Sequence, residues 1–183
     1  MASSARPIAL VGLPGAGKSG VARAIAARLS AVAVDLDAWI EREAGHSIAT
    51  LFARDGEDAF REREAAALEQ ALSESAAVIA CGGGIVTRAA VRRRLRQRCR
   101  VAWLEVSAAT AARRLASEAA RRPLLAGHDL EGRLAELLAD RAKAYAEVAH
   151  VRVSTDAVTV EQAAEAVLRA LERATATMAG GEA

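Results

Sequence analysis

The stretch Gly12-Leu13-Pro14-Gly15-Ala16-Gly17-Lys18-Ser19 constrains this chain more than any other. It fits the phosphate-binding loop pattern G-x-x-x-x-G-K-[ST] at every fixed position. Ile8-Ala9-Leu10-Val11 before it reads as a short buried strand, and residues 20–29 after it read as an alanine-rich helix. Strand, glycine loop and helix together turn the pattern into a site. The glycines let the backbone turn so that its N–H groups converge on phosphate oxygens, and the helix N-terminus adds partial positive charge. Gly15, Ala16, Gly17, Lys18, Ser19 and Gly20 are therefore expected at the phosphates of a nucleotide. Apart from Lys18 and Lys143, every basic residue is arginine. A compact ammonium enters a phosphate nest where a planar guanidinium does not fit.

The rest of the chain has the composition of one soluble domain. Its 183 residues lie within the usual single-domain range. With 52% hydrophobic residues but only 3% aromatic, the core must be built from Ala, Leu, Val and Ile. A formal net charge of +2 does not call for nucleic acid. The longest apolar runs fall far short of the ~20 residues that span a bilayer. Residues 1–6 lack the apolar core of a signal peptide. Two cysteines, Cys81 and Cys99, make no disulfide framework. The expectation is a cytoplasmic protein with no nucleic-acid or membrane partner.

Apolar strands and amphipathic helices alternate along the chain. Strands are expected at 8–11, 32–35, 77–81, 100–105 and 150–153, and helices at 18–29, 37–44, 47–53, 57–73, 87–96, 107–117, 130–146 and 159–174. Short, continuously apolar strands separated by helices predict a three-layer α/β/α fold around a five-stranded parallel sheet. Ser47, Ser107 and Thr159, the last with Gln162 three residues on, read as helix caps. Residues 1–174 form the expected domain, and 175–183 a frayed tail. Residues 117–129 interrupt the alternation with an arginine pair, Pro123 and Gly127. In a phosphate-binding protein such a segment predicts a mobile lid; an ordinary surface connection is the alternative.

Other residues carry chemistry. Asp35-Leu36-Asp37 ends the second strand, on the same rim of the sheet as the phosphate loop. Strand alternation would put both carboxylates on one side, one to orient Mg²⁺ through water and the other to accept a hydroxyl proton. Alternatively a carboxylate caps the next helix, a role that suits Asp37. Gly82-Gly83-Gly84 follows the third strand, where missing side chains permit close approach to a ligand or a plain turn. Cys81 beside them reads as a small buried filler. Phe60-Arg61-Glu62-Arg63-Glu64 reads from composition alone as a solvated helix face. The arginine-rich run from Arg88 to Arg100, without interleaved aromatics, reads the same way. His46, His128 and His150 show no metal-ligand spacing.

Taken in order, these motifs resemble the shikimate kinases, which are P-loop kinases of the nucleoside monophosphate kinase-like group. The resemblance runs from about residue 7 to 172. It rests on GLPGAGKS, Asp35-x-Asp37, Gly45-His46-Ser47-Ile48 leading to Phe52, and Gly56-Glu57 with Phe60-Arg61-x-x-Glu64. Gly82-Gly83-Gly84, Trp103-Leu104-Glu105-Val106, Arg122-Pro123-Leu124-Leu125 and Arg141-x-x-x-Tyr145 complete the series. It implies ATP-dependent phosphorylation of the 3-hydroxyl of shikimate, on the route to chorismate and the aromatic amino acids, by a monomer. Residues 37–64 would form the helical substrate-binding part. Lys18 and the loop would hold ATP, with Ser19 on Mg²⁺ and Asp35 in its outer shell. Asp37 would bond the reacting hydroxyl. Arg61 and Arg141 would bind the carboxylate, with Glu64, Gly82, Gly83 and Gly84 around the same pocket. Arg122 in the lid would reach the transferring phosphate. Arg114 would stack on adenine, with Arg113 as the alternative.

The chain departs from that pattern at Gly20, where relatives usually carry threonine or serine, and at Ala80, where they often carry serine. A lost neutral hydrogen bond, about 0.5–1.5 kcal/mol, predicts a raised KM for ATP at Gly20. Two other activities fit the loop: a kinase for another small hydroxy acid such as gluconate, and a nucleotide-binding regulator without catalysis. Arg61, Arg141 and the three glycines speak against the first; Gly20 favours the second.

Overall fold

A computed structural model describes residues 6–74, 76–116 and 129–179. Strands β1 (Ile8–Val11), β2 (Ala33–Asp35), β3 (Val78–Ala80), β4 (Arg100–Glu105) and β5 (Val151–Ser154) form one sheet in the order β2-β3-β1-β4-β5. Every pairing is parallel. Parallel neighbours need crossover connections, and the helices supply them: α1 (Lys18–Arg28), α2 (Leu36–Ala44), α3 (Ile48–Ser73), α4 (Ala89–Arg98), α5 (Ala108–Leu115), α6 (Leu130–Val148) and α7 (Val160–Ala179). The expected five-stranded α/β/α architecture is the one observed.

Side-chain alternation along the inner strands divides the core. Ile8, Leu10, Val78, Ala80, Ala102 and Leu104 face one layer with α1 and α7. Ala9, Val11, Ile79, Cys81, Val101 and Trp103 face the other, against α2, α3, α4 and the end of α6. β1, β3 and the middle of β4 are buried on both faces, which is why they read as continuous apolar runs.

Helix boundaries follow their caps. Ser47 and Ser107 accept from the backbone N–H groups of Thr50 and Thr110 at 3.2 and 3.3 Å. Thr159 and Gln162 form a reciprocal capping box, at 2.9 and 3.2 Å. The expected break between 53 and 57 falls at Gly56, whose φ of 82° and ψ of 174° interrupt α3. α7 runs on to Ala179, past the expected end at 174. No described helix is long and apolar enough to cross a membrane.

His150 extends the sheet beyond β5. Its backbone N–H donates to Val101 O at 2.8 Å, and its Nδ1 accepts from the Val101 N–H at 3.0 Å. An accepting Nδ1 must be unprotonated. Burial first, then the positive charges of Arg96 and Arg6, hold this imidazole below its ordinary value of 6.5. The unfolded chain therefore binds the extra proton more readily. The contribution of His150 is whole above about pH 6.5 and is lost as the pH falls toward the depressed native value. The melting temperature should thus drop more steeply below about pH 6.5 in the native chain than in His150→Gln. Equal slopes would remove His150 from the pH response.

Candidate active site

The phosphate loop owes its shape to three glycines. Gly12, Gly15 and Gly17 have φ values of 145°, 82° and 85°, which side chains strongly disfavour. At Gly15 a Cβ would also come within 2.9 Å of the Ala111 carbonyl oxygen, so the loop could not lie against α5. α2, α3, α5 and α6 each begin on a side-chain cap, from Asp35, Ser47, Ser107 and Asp129. α1 begins on Gly17 with no side-chain cap and no acid in its first turn. Its first N–H groups and its dipole are thus left for an anion. Lys18 Nζ folds back to donate to the carbonyls of Gly12 and Leu13 at 2.9 and 2.8 Å. Ala16, by contrast, puts its methyl into the core, so only its backbone can serve a ligand.

A cleft of about 240 Å³ opens beside the loop, lined by Lys18, Ser19, Gly20, Asp35, Asp37 and Arg114 among others. The two aspartates reach it by a route other than strand alternation. Asp35 closes β2 and is itself the cap of α2, accepting from the Ala38 N–H at 3.2 Å, while Asp37 lies in the first helical turn. The capping role expected of Asp37 therefore belongs to Asp35, because the helix starts at Leu36 and not at 37. Ser19 at the end of the loop lines the same cleft as the two aspartates, and a hydroxyl with carboxylates beside a phosphate-binding loop is the hard-oxygen set that suits Mg²⁺ shared with phosphates.

Of the two candidate arginines on α5, Arg114 faces the loop. Its guanidinium donates to Gly15 O at 3.2 Å, to Thr155 Oγ1 at 3.3 Å and to Thr155 O. Arg113 instead turns along its own helix to Thr110 Oγ1, at 2.9 Å.

Gly82, Gly83 and Gly84 assemble the second half of the site. A Cβ on Gly82 would collide with carboxylate oxygens of Glu64 and Asp37, one on Gly83 with the Pro14 ring, and one on Gly84 with the Arg61 guanidinium. Each missing side chain thus admits a different neighbour. The approach that the glycines permit is first of all that of the protein's own side chains. Tyr145 OH and Arg141 Nη1 both donate to the Gly83 carbonyl, the second at 3.3 Å.

Arg61 and Glu64 are only 5% and 2% exposed, so the charged run on α3 is not a solvated face at these positions, and Arg141 on α6 is 8% exposed. Arg61 Nη1 pairs with Glu64 at 2.5 Å and Nη2 with the half-exposed Glu57 at 2.7 Å. Its Cζ lies 5.8 and 5.7 Å from the ring centres of Phe52 and Phe60. Arg61 Nε is buried with no partner among the described residues, a state that costs about 1–3 kcal/mol unless an acceptor arrives. Burial raises the Glu64 pKa against the opposing pull of Arg61, and the charge of Asp37 raises it further while Arg141 lowers it. These four ionisable groups share one electrostatic neighbourhood.

Arg122 and residues 117–128 of the expected lid lie outside the described residues. Cys81 is buried, and desolvation pushes its thiol well up, as befits a filler and not a nucleophile. The arginine-rich α4 is largely engaged at the surface: Arg92 pairs with Glu147 at 2.9 Å and Arg94 with Glu69 at 2.5 Å. Residue-by-residue reading missed Pro14, Glu57 and Tyr145 as parts of the site. The signal for Tyr145 was its place at the end of the Arg141-x-x-x-Tyr145 motif, one helical turn after Arg141.

The family model for shikimate kinase matches residues 14–172. The shikimate kinase of Thermobifida fusca is 43% identical over 172 residues, covering 93% of this chain and 98% of its own. That of Symbiobacterium thermophilum is 41% identical over 166 residues, covering 90% and 95%. The solved structure of shikimate kinase from Acinetobacter baumannii in complex with shikimate superposes with a TM-score of 0.88 at 35% identity, covering 93% of this chain and 94% of that one.

Proposed function

The chain belongs to the shikimate kinase family, and we propose that its own cleft transfers the γ-phosphate of ATP to the 3-hydroxyl of shikimate. One observation carries the residue assignment. The Gly82–Gly84 segment touches Asp37, Glu64 and Arg61, takes hydrogen bonds from Arg141 and Tyr145, and leans on Pro14 of the phosphate loop. A carboxylate clamp and a phosphate grip therefore meet at one short stretch of backbone.

Shikimate carries one carboxylate and three hydroxyls, so it needs cationic donors at one end and an acceptor at the other. Arg61, with its unpartnered buried Nε, and Arg141 supply the donors. Glu64 holds Arg61 in place and limits the net positive charge of the pocket. Asp37 accepts the proton of the reacting hydroxyl, or orients it for attack. Lys18, the loop N–H groups and the α1 N-terminus hold the ATP phosphates. Arg122, from the lid about 117–129, neutralises charge on the phosphoryl group in flight. Arg114 lies beside the base. Phosphoryl transfer asks chiefly for this positioning and charge neutralisation. Ser19 and, through water, Asp35 would hold Mg²⁺, which when bound offsets charge on the phosphate oxygens. The reading extends to residues 37–64 as the shikimate-binding part of a single domain, and to a monomer working in the cytoplasm. Coupled measurement of ADP release should show turnover with shikimate and none with gluconate. No release above the shikimate-free rate would overturn the proposal and favour the non-catalytic regulator.

Gly20 gives a separate prediction. It lies in the first turn of α1, and an added Cβ would meet Val160 methyl carbons at 3.4 and 3.5 Å, an ordinary contact. Gly20→Ala should stabilise the fold by about 0.5–1 kcal/mol, since Gly is the poorer helix former. Gly20→Ser adds a hydroxyl on the wall of the phosphate cleft and should lower the KM for ATP about two- to tenfold, the worth of one neutral hydrogen bond. A KM that does not move would show that no phosphate oxygen lies within its reach.

A further inference from the structure

The geometry points to Tyr145 as a positioning residue that sets the carboxylate clamp through the Gly83 carbonyl; this rests on the proposed shikimate kinase reading. Tyr145 is fully buried at the end of α6, and no step of phosphoryl transfer uses its hydroxyl. A buried phenol must find a partner, and a core tyrosine could have found one in any nearby carbonyl. This hydroxyl donates to Gly83 O, the same atom that Arg141 Nη1 reaches at 3.3 Å. That bond is a long one, and the Tyr145 hydroxyl also lies within hydrogen-bonding reach of the same guanidinium. The direction of the guanidinium therefore depends on where the Gly83 carbonyl and the hydroxyl bonded to it stand.

Tyr145 is well placed to decide that. Its ring stacks on Trp103 with centroids 5.6 Å apart, and Trp103 is anchored in β4. Arg152 of β5 lies over the Trp103 ring with its Cζ 5.0 Å from the centroid. The hydroxyl thus projects from a braced ring. On its other side Gly83 is wedged against Pro14, where a Cβ would come within 2.9 Å of the proline ring. The hydroxyl and the proline fix the glycine segment between them. Arg141 lies one turn before Tyr145 on the same face of α6, so both donors approach one carbonyl from one helix. With the hydroxyl removed, the carbonyl retains only the weaker bond and is free to follow Arg141. The clamp then no longer stands at a set distance from the phosphate loop.

Tyr145→Phe keeps the ring and its stacking and deletes only the oxygen. Its KM for shikimate should rise about three- to tenfold, the range of one hydrogen bond acting through a neighbour, with kcat and the KM for ATP within about twofold. A merely structural tyrosine would shift the melting temperature, or all three constants together, and would spare the split between the two substrates. The second readout is coupling. In an Arg141→Ala background the further change Tyr145→Phe should leave the KM for shikimate unchanged, because the group it positions is gone. An unchanged shikimate KM in Tyr145→Phe, or full additivity with Arg141→Ala, would overturn the inference while leaving the activity of the native chain intact. Absence of shikimate-dependent turnover in the native chain would instead overturn the reading beneath it.

Discussion

Asp37→Asn should lower kcat by about 10²–10⁴-fold, the usual worth of a positioned general base, while the KM for shikimate changes little. The side chain lines the phosphate cleft, and its oxygen lies where a Cβ on Gly82 would come within 2.7 Å of it. Asparagine keeps the shape and one accepting oxygen but cannot take a proton. The fold should survive, because the helix cap is Asp35, whose bond to the Ala38 N–H is untouched. The variant therefore separates removal of a proton from orientation of a hydroxyl. A kcat within about tenfold of the native value would fall below the general-base range and leave Asp37 the orienting role alone.

Arg61→Ala should have the second large effect, on binding and stability together. Shikimate affinity should fall about a hundredfold, equivalent to about 2.7 kcal/mol, for loss of a charge-assisted clamp on the carboxylate. Stability should fall by about 3–5 kcal/mol, because Glu64, only 2% exposed, would keep its burial and lose its closest cation. The Glu57 side of the pair adds little, since that carboxylate is half exposed. The two losses can be told apart. Arg61→Ala combined with Glu64→Gln removes the stranded charge and should recover much of the stability, as read by chemical denaturation, without recovering shikimate affinity. Native-like shikimate affinity in either variant would remove Arg61 from the clamp.

Much of this molecule was legible in its residue order. The inner strands β1, β3 and β4 were readable because burial on both faces demands unbroken apolar runs. The split in α3 was readable because only glycine adopts the φ of 82° found at Gly56 with ease. The phosphate loop was readable because its function resides in backbone geometry, which leaves glycines at set intervals.

Charged side chains were harder. Arg61 sits in a run that composition assigns to solvent, and its burial depends on Gly84 and Phe52, which contact it only in the folded chain. Family resemblance supplied that residue, and local pattern did not. Asp35 and Asp37 show a subtler failure. Both line the cleft as expected, yet the helix begins between them, so their roles as cap and acid followed from its first residue. Tyr145 entered as the end of the Arg141-x-x-x-Tyr145 motif but without a role, since a buried aromatic four residues after an arginine is ordinary helix packing until the carbonyl it meets is known.

A cleft that grips ATP at residues 12–19 and presents the 3-hydroxyl of shikimate to it must yield a single product. Nuclear magnetic resonance of the product, formed by the native chain from shikimate and Mg-ATP, tests this most directly. One new phosphate ester is expected, its phosphorus coupled to the proton on carbon 3 and its amount equal to the ADP released. Coupling to another ring proton, or ADP formed without any ester, would contradict it.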